Sequence, residues 1–449
     1  MSILPNKKYT WEILTVAFPA IAGLSSQMVV SLVNTSMVGR LEHTDVQLAA
    51  MGLGFLGGWA ITSMFSSLST GTQVLSARRH GEGNPVAVGE VLNNSLVICL
   101  LIGIFIGAIG YRFSFEIINF FSNDSAVSKA GADYMKYQFL GLPFFLLIVS
   151  YRGFFFGIGH TKVFMFSAII INVFNIFFNY LFIFGAFGFP KMALAGAGLG
   201  YAISLALGWL FFVCVTFVGD YRKQYKYYSH FKISKDVIAQ IVRISVPVSL
   251  QNILILLGFL VFVAITGIIG IVDQAASQVV ISALFISIMP CFGFGIAAQS
   301  FVGQSLGRGD RRQALLYGYE TAKLGTIFTI FIGLVFVFAP DFIISVITPS
   351  TDVTQVARPI LQVAGIAQVF YGSGIIIANA LQAGGSTVYV MMVEVITHWV
   401  IFLPLAYLFG VKLHYGIIGA WMAIPIYIVA YTTLNLWRFK SMKWIKVQL

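Results

Sequence analysis

Residues 71–84 read GTQVLSARRHGEGN, and residues 297–310 read AAQSFVGQSLGRGD. Laid over one another they align Gln73 with Gln299, Gly81 with Gly307 and Gly83 with Gly309, at an offset of 226 residues. Further matches run in the same order. Pro19 pairs with Pro247 at an offset of 228, FGIGHTK (156–162) with LQAGGST (381–387) and IFG (183–185) with LFG (408–410) at 225. Ordered matches at nearly one offset make the chain two copies of one unit.

The unit is a membrane unit. The chain has 449 residues, 58% of them hydrophobic and 10% charged, whereas soluble domains carry about 25% charged residues. No aqueous fold hides that much apolar surface, so the solvent is lipid. Apolar runs bounded by Gly, Pro and charge predict twelve spans, near 13–38, 47–76, 91–111, 133–157, 163–185, 193–218, 237–268, 275–304, 315–339, 357–382, 388–410 and 416–437. The expected fold is all-α and integral to the membrane. Its twelve transmembrane helices form two pseudo-symmetric six-helix bundles around a central cleft, over 1–218 and 237–449, joined by a basic linker at 219–236. Six spans per copy keep both copies in one orientation, a parallel repeat about an axis along the membrane normal. Such repeats place a substrate site near the midplane and work by alternating access.

Charge sets the orientation. The net charge is +11, which in a soluble chain would suggest nucleic acid. Here nineteen Lys and Arg fall in segments on the side of the termini, seven on the other side, and Arg152 within a span, which accounts for all 27. That bias predicts cytoplasmic termini in a cell inner membrane, a lipid bilayer as the surroundings and no nucleic-acid partner. The linker GDYRKQYKYYSHFKISKD (219–236) reads as an anchor at the anionic inner leaflet. Cys99, Cys214 and Cys291 lie far apart in apolar runs and read as small core residues. No removable signal peptide is expected, because the first apolar run is full-length and has no small-residue cleavage site. A monomer is expected.

Several stretches resemble the multidrug and toxic compound extrusion (MATE) family across essentially the whole chain. They are VNTSMVGRL (33–41), TQVLSARRHGEGN (72–84), YRGFFFGIGHTK (151–162), NIFFNYLFIFGAFG (175–188) and AQSFVGQSLGRGD (298–310). The resemblance implies a V-shaped pair of six-helix bundles that exports small organic molecules, often lipophilic cations, in exchange for sodium or protons. It also implies an acid in the first span, where this chain has Asn34, and a polar pair in the fifth, here Asn175 and Asn179. The seventh span offers Gln251 and Asn252 where one branch of the family has an acid. Sodium held by Asn34, Asn175 and Asn179 is possible chemistry, but neutral amides bind it weakly and cannot take up a proton.

Ionisable groups within spans are functional candidates by default. Of the 16 acidic residues, only Glu394 is placed well inside a span, with His398 four residues on. Helical spacing puts both on one face, where they could share a proton. The coupling candidates are therefore Glu394 and His398, with Asn34, Asn175 and Asn179 as the neutral alternative. Substrate contacts are expected from Gln27, Met28, Met64, Gln251, Asn252, Met289, Phe292 and Tyr371, since Met packs adaptably and aromatic faces attract cations. For most of these aromatic and Met side chains, plain core or lipid packing is the commoner role. Arg152 is expected to snorkel toward phosphates, and His80 and His160 to be solvated.

Rival classes leave little trace. An enzyme would need a nucleophile–base set or metal cluster, and there is no HExxH and no P-loop. A channel has no need of two matched bundles. A flippase for lipid-linked pyrophosphates would want a cationic lumen, and the only intramembrane cation expected is Arg152. No cofactor is expected beyond a coupling ion, a proton or sodium.

Overall fold

A computed structural model describes residues 5–42, 44–122, 124–218, 220–227 and 229–446. The repeated motif proves to be a helix end, a turn and a helix start. Helix α3 (Leu68–Gly81) stops, and Gly83 turns the chain at φ 71°. Asn84 then caps α4 (Pro85–Arg112) by accepting from the Ala87 N–H at 3.1 Å, with Pro85 in the first turn. In the second copy α11 (Ile271–Gly307) stops, Gly309 turns at φ 76°, and Asp310 caps α12 (Arg311–Phe338) from the Gln313 N–H at 2.8 Å. Only glycine takes the left-handed turn without strain, and a short polar side chain is the usual helix cap. That is why these residues survive in both copies.

The other helices are α1 (Lys7–Val38), α2 (Thr44–Ser66), α5 (Ser114–Phe121), α6 (Ser125–Gly157), α7 (Thr161–Phe184), α8 (Ala193–Phe217), α9 (Asp220–Tyr225) and α10 (Lys235–Ile269). They continue with α13 (Pro340–Ile347), α14 (Thr351–Ala383), α15 (Thr387–Val395), α16 (Leu403–Tyr407) and α17 (Gly416–Lys440). Among the described residues, twelve stretches are long and apolar enough to span a bilayer, with α2–α3 counting as one and Thr387–Lys412 as another. Among the described residues there is no strand. Helix α11, with 37 residues, is roughly 56 Å long at 1.5 Å per residue. It must extend well past a hydrocarbon layer of about 30 Å.

Lipid offers helices no hydrophobic drive to associate, so close packing through small residues does the work. Gly333 and Gly365 face each other between α12 and α14, where an added Cβ on either would lie 2.6 or 2.9 Å from the other's carbonyl oxygen. Gly103 of α4 sits as closely on Pro143 of α6, its Cβ position 2.7 Å from the proline Cα.

Besides α9 in the linker, two short helices went unread in the sequence. In α5 the sequence SFEIINFF buries Ser114 and Ile118 and exposes Phe115, Phe120 and Phe121. In α13 the sequence PDFIISVI buries Pro340 and Ile344 and exposes Phe342 and Val346. Their buried residues repeat at the same offset of 226. Eight residues are too few for a span and just enough for an in-plane amphipathic helix.

By packing, the chain forms two units: Ala22–Ser245, and the described part of Met1–Ile21 with Val246–Leu449. This partition differs from the linear one at two places. The leading turns of α1 bury Ile13, Val16 and Ala17 beside Phe294, Ala297 and Ala298 of the second unit. The segment from 220 to 245 belongs to the first unit. Tyr225 and Tyr227 are 2% and 1% exposed in an aromatic core with Phe154 and Phe155, and Asn93 and Asn94 donate to the Tyr227 and Lys232 carbonyls at 2.6 and 2.9 Å. The basic side chains do face outward, but the strand of chain between them is built in. Each helix changes unit within three residues of a repeat proline, Pro19 or Pro247.

Candidate functional site

The eleventh span starts as α15 and then changes its winding. Ile396–Phe402 forms a π-helical turn, α16 follows, and Leu408–Lys412 is π-helical again. Pro404 accounts for the first change, since it offers no N–H and its ring crowds the preceding turn. The helix responds by stretching, and the Leu403 N–H bonds the His398 carbonyl five residues back. Single π turns of this kind are often found at functional sites.

Glu394 stands just before that turn and is 5% exposed. The Tyr427 hydroxyl of α17 donates to its Oε1 at 2.5 Å. Tyr431 of α17 and Gln251 of α10 also reach the carboxyl with their polar ends, and Tyr371 of α14 lies near it. His398 is 4% exposed, and its Nδ1 is 3.9 Å from Glu394 Oε1. That distance is beyond a hydrogen bond. The direct proton sharing expected of Glu394 and His398 is therefore not the arrangement found: the two face each other at ion-pair distance, and the hydrogen bond to the same carboxyl oxygen comes from Tyr427. Among the described residues neither ring nitrogen of His398 has a hydrogen-bond partner. The ring is held by shape, edge-on to Phe402 and Tyr427 at centroid distances of 5.2 and 5.5 Å. Its other side rests on Gly258 of α10, where a Cβ would lie 2.5 Å from two ring atoms.

In the first unit Asn34, Asn175 and Asn179 do come together. Their amide atoms meet at 2.9 Å (Asn34 with Asn175), 2.9 Å (Asn34 with Asn179) and 3.3 Å (Asn175 with Asn179). With its amide turned over, Asn179 would instead donate to the Ala197 carbonyl of α8 at 3.2 Å. Gly200 makes the room, since a Cβ there would sit 2.2 Å from Asn179 Oδ1. Asn172, donating to Ser26 Oγ at 2.7 Å, extends the seam along α7 and α1. The amides satisfy one another and bring no charge.

The expected substrate contacts divide between the units. Gln27, Met28 and Met64 belong to the first, and Gln251, Asn252, Met289, Phe292 and Tyr371 to the second. Of the second set, Gln251 and Tyr371 gather at Glu394. Phe292 and Met64 are 43% and 37% exposed. Other expectations are corrected. Arg152 does not snorkel: its Nε donates to Ser69 Oγ at 3.3 Å and its Nη2 to the Ser66 carbonyl at 3.4 Å, bracing the break between α2 and α3 where helical bonding lapses. His160 is not merely solvated, because its Nδ1 meets the Tyr221 hydroxyl at 2.7 Å. Burial holds the His160 pKa below its ordinary value and lifts those of Tyr221 and, to about 12, Tyr225. His80 lies 3.5 Å from the Tyr225 hydroxyl. Glu394 is also not alone. Glu320 of α12, 5% exposed, accepts from Lys323 Nζ and from the Asn6 N–H, each at 2.7 Å. Of the cysteines, Cys99 and Cys291 are buried but Cys214 is exposed.

A repeated all-helical fold, whose described residues hold twelve apolar helical stretches of spanning length, defines the class as a polytopic membrane protein built of two matched units, and the family match that follows makes it a transporter. The chain belongs to the MATE family: the family model, MatE, matches it twice, over residues 19–181 and again over 247–408. The double match restates the internal repeat. The probable multidrug resistance protein NorM of Thermotoga maritima is 26% identical over 443 residues, covering 97% of this chain and 93% of that protein. The probable multidrug resistance protein YoeA of Bacillus subtilis is 24% identical, covering 94% and 91%. Among solved structures, a MATE in complex with MaD3S superposes with a TM-score of 0.88, and a MOP superfamily transporter from Pyrococcus furiosus with 0.86. Both are 20% identical over 96% of each chain. These likenesses show the fold.

Proposed function

We propose that this protein is a secondary multidrug exporter of the inner membrane, with both termini cytoplasmic, working as a monomer by antiport of organic compounds against protons. The observation that carries the coupling is Glu394, a carboxyl 5% exposed within a span and hydrogen-bonded by the Tyr427 phenol at 2.5 Å. A buried acid in lipid is costly and is normally kept for a proton or substrate pathway. The names of the curated relatives support a multidrug cargo.

In this scheme Glu394 takes up a proton while accessible from outside, which discharges the carboxylate and weakens its hold on a cationic substrate. The substrate leaves outward. After return the proton leaves to the cytoplasm, and the restored carboxylate attracts the next substrate. One proton moving down 100 mV supplies about 2.3 kcal/mol. At 1.36 kcal/mol per tenfold, that sustains a roughly fifty-fold gradient of a neutral substrate.

Sodium coupling is the second reading, through the Asn34, Asn175 and Asn179 triangle. It is disfavoured because those amides already bond one another. A flippase for an anionic lipid-linked substrate is disfavoured by Arg152, whose guanidinium is engaged by Ser66 and Ser69. The test is drug efflux from proteoliposomes under a pH gradient and, separately, a sodium gradient, for wild type and Glu394→Gln. The proposal expects proton-driven efflux that the substitution abolishes. Sodium-driven efflux indifferent to the substitution would return coupling to the amide triangle.

A further inference from the structure

The two helices that change unit, α1 and α10, begin alike. Asn6 is the N-cap of α1, its Oδ1 accepting from the Lys8 N–H at 3.0 Å, and Ser234 is the N-cap of α10, its Oγ accepting from the Val237 N–H at 3.5 Å. They stand 228 residues apart, the offset of Pro19 to Pro247. In each case a buried side chain of another helix takes the N-cap's own N–H. Asn6 N–H donates to Glu320 Oε2 of α12 at 2.7 Å, and Ser234 N–H to Asn94 Oδ1 of α4 at 2.8 Å. Glu320 and Asn94 are themselves equivalent at the repeat offset of 226. A capping box fills this bond with a side chain of the helix's own first turn. Here a helix of the other copy supplies it. The docking continues along the next turns. Ile13, Val16 and Ala17 are buried, and so are their mates at offset 228, Ile241, Ile244 and Ser245. Helices α3 and α11 close on them through glycine: a Cβ on Gly71 would lie 2.6 Å from the Ile241 carbonyl oxygen, and one on Gly293 would lie 3.3 Å from that of Ala17. The Tyr317 hydroxyl adds a bond to Glu12 Oε2 at 2.5 Å, and Lys323 balances the Glu320 charge at 2.7 Å. Undocking α10 would strip the fully buried Asn94 amide of both Ser234 and Lys232, and a buried polar group left unpaired is costly. Undocking α1 would do the same to Tyr317, which is also buried.

We propose that Glu320 and Asn94 cap α1 and α10 from the other copy throughout the transport cycle, so that the bodies that move are the packing units and not the sequence repeats. Each unit then carries the leading turns of the other copy's first helix. Any change between the units is taken up past Ile21 and Ser245, where these helices leave their docks. Glu320, a buried acid outside the coupling scheme, thereby acts as a positioning residue for α1 and does not touch substrate. The proposal is independent of which ion drives export.

The test has two arms, both on the full chain. The first crosslinks the docks, with Cys99, Cys214 and Cys291 replaced by Ala. Gly71→Cys with Ser245→Cys, and Gly293→Cys with Ile21→Cys, bring thiols within reach of a disulfide, since the glycine Cβ positions lie 2.4 Å from Ser245 Oγ and 2.3 Å from Ile21 Cγ1. Ethidium efflux from proteoliposomes is expected to run at the same rate in the oxidised and reduced proteins. Loss of efflux on oxidation, restored by a reductant, overturns the proposal. The second arm is hydrogen exchange of the wild-type protein, which decides the matter if the cysteine pairs fold poorly. Residues 6–17 and 234–245 are expected to stay equally protected at rest and under an imposed proton or sodium gradient with ethidium. Faster exchange there under either gradient overturns the proposal. In the same measurement Glu320→Leu is expected to speed exchange of the Asn6 amide by about tenfold to a hundredfold, the worth of a hydrogen bond to a charged group, and Glu320→Gln, which keeps an acceptor oxygen, by less. An unchanged rate in Glu320→Leu overturns the capping role. A reduced protein that exports ethidium under neither gradient counts against the proposed function above, and the exchange arm still decides the docks.

Discussion

Replacing Gly258 with alanine tests whether shape alone holds His398. The new methyl would sit 2.5 Å from His398 Cδ2 and Nε2, against an optimum near 3.5–4.0 Å for carbon contacts. The ring must retreat by about 1 Å, yet Phe402 and Tyr427 stand edge-on to it at 5.2 and 5.5 Å between centroids. No hydrogen bond steers it, since neither nitrogen has a partner among the described residues. Overpacking of this kind costs about 1–3 kcal/mol, a factor of roughly 5 to 150 between seated and displaced ring. The assay is thermal unfolding of the detergent-solubilised protein in a double-mutant cycle with His398→Ala. Once the imidazole is gone, the methyl enters vacated space and its penalty should vanish, which gives a coupling energy of about 1–3 kcal/mol. An equal loss of stability from Gly258→Ala in both backgrounds would refute the contact. Proton-driven efflux measured on the same four proteins then shows whether seating the ring matters to transport.

Two further outcomes follow from particular bonds. Tyr427→Phe removes the 2.5 Å donor to Glu394. It should lower thermal stability by about 1.5–3 kcal/mol, the range for a hydrogen bond to a charged group, and by less in a Glu394→Gln background. A loss of the same size in both backgrounds would mean that the phenol is valued for packing alone. Burial holds His160 below its ordinary pKa, so the unfolded chain binds the proton more readily. Its contribution to stability is complete above a pH of about 6.5 and is lost as pH falls from there toward the lower folded-state value. Thermal unfolding from pH 8 to 5, values taken as roughly bracketing that titration, should fall more steeply for wild type than for His160→Gln, and parallel curves would remove His160 from the account.

Legibility in the sequence followed the length scale of the signal. The spans announce themselves because about twenty apolar residues have no other explanation. The turns at Gly83 and Gly309 are legible because backbone geometry ties them to glycine, and the caps Asn84 and Asp310 because the chain repeats. Helices α5 and α13 escaped because eight residues with one buried side read as loop. The linker misled through composition: RKQYKYY looks solvated, but Tyr225 and Tyr227 alternate inward with Arg222, Lys223 and Lys226 exposed. At the site, Glu394 and His398 stood out as ionisable groups in an apolar run. Their partners did not, since Tyr427, Tyr431 and Gln251 are brought in by the register of α17 and α10 against α15, which no local pattern encodes. The π turn escaped too, although Pro404 six residues after His398 was a legible warning that regular spacing would fail.

The two copies hold different chemistry at equivalent depth, and the difference bears on coupling. The offset of Pro19 to Pro247 carries Asn34 onto Phe262. Where Asn34 meets two amides at 2.9 Å, Phe262 meets Phe402 and Trp421 rings at 4.9 and 5.6 Å. One unit thus has a neutral polar seam there, and the other an aromatic wall, with its carboxyl placed toward the end of the span nearer the termini. An antiporter that moves one proton per cycle needs one group that changes charge, and about 2.3 kcal/mol per 100 mV suffices for useful export. A second ionisable centre at the matching position would add a desolvation cost without need. On the proton-coupled reading proposed above, the uncharged Asn34 is the complement of Glu394: the duplicated fold repeats in both halves while the group proposed to titrate lies in one.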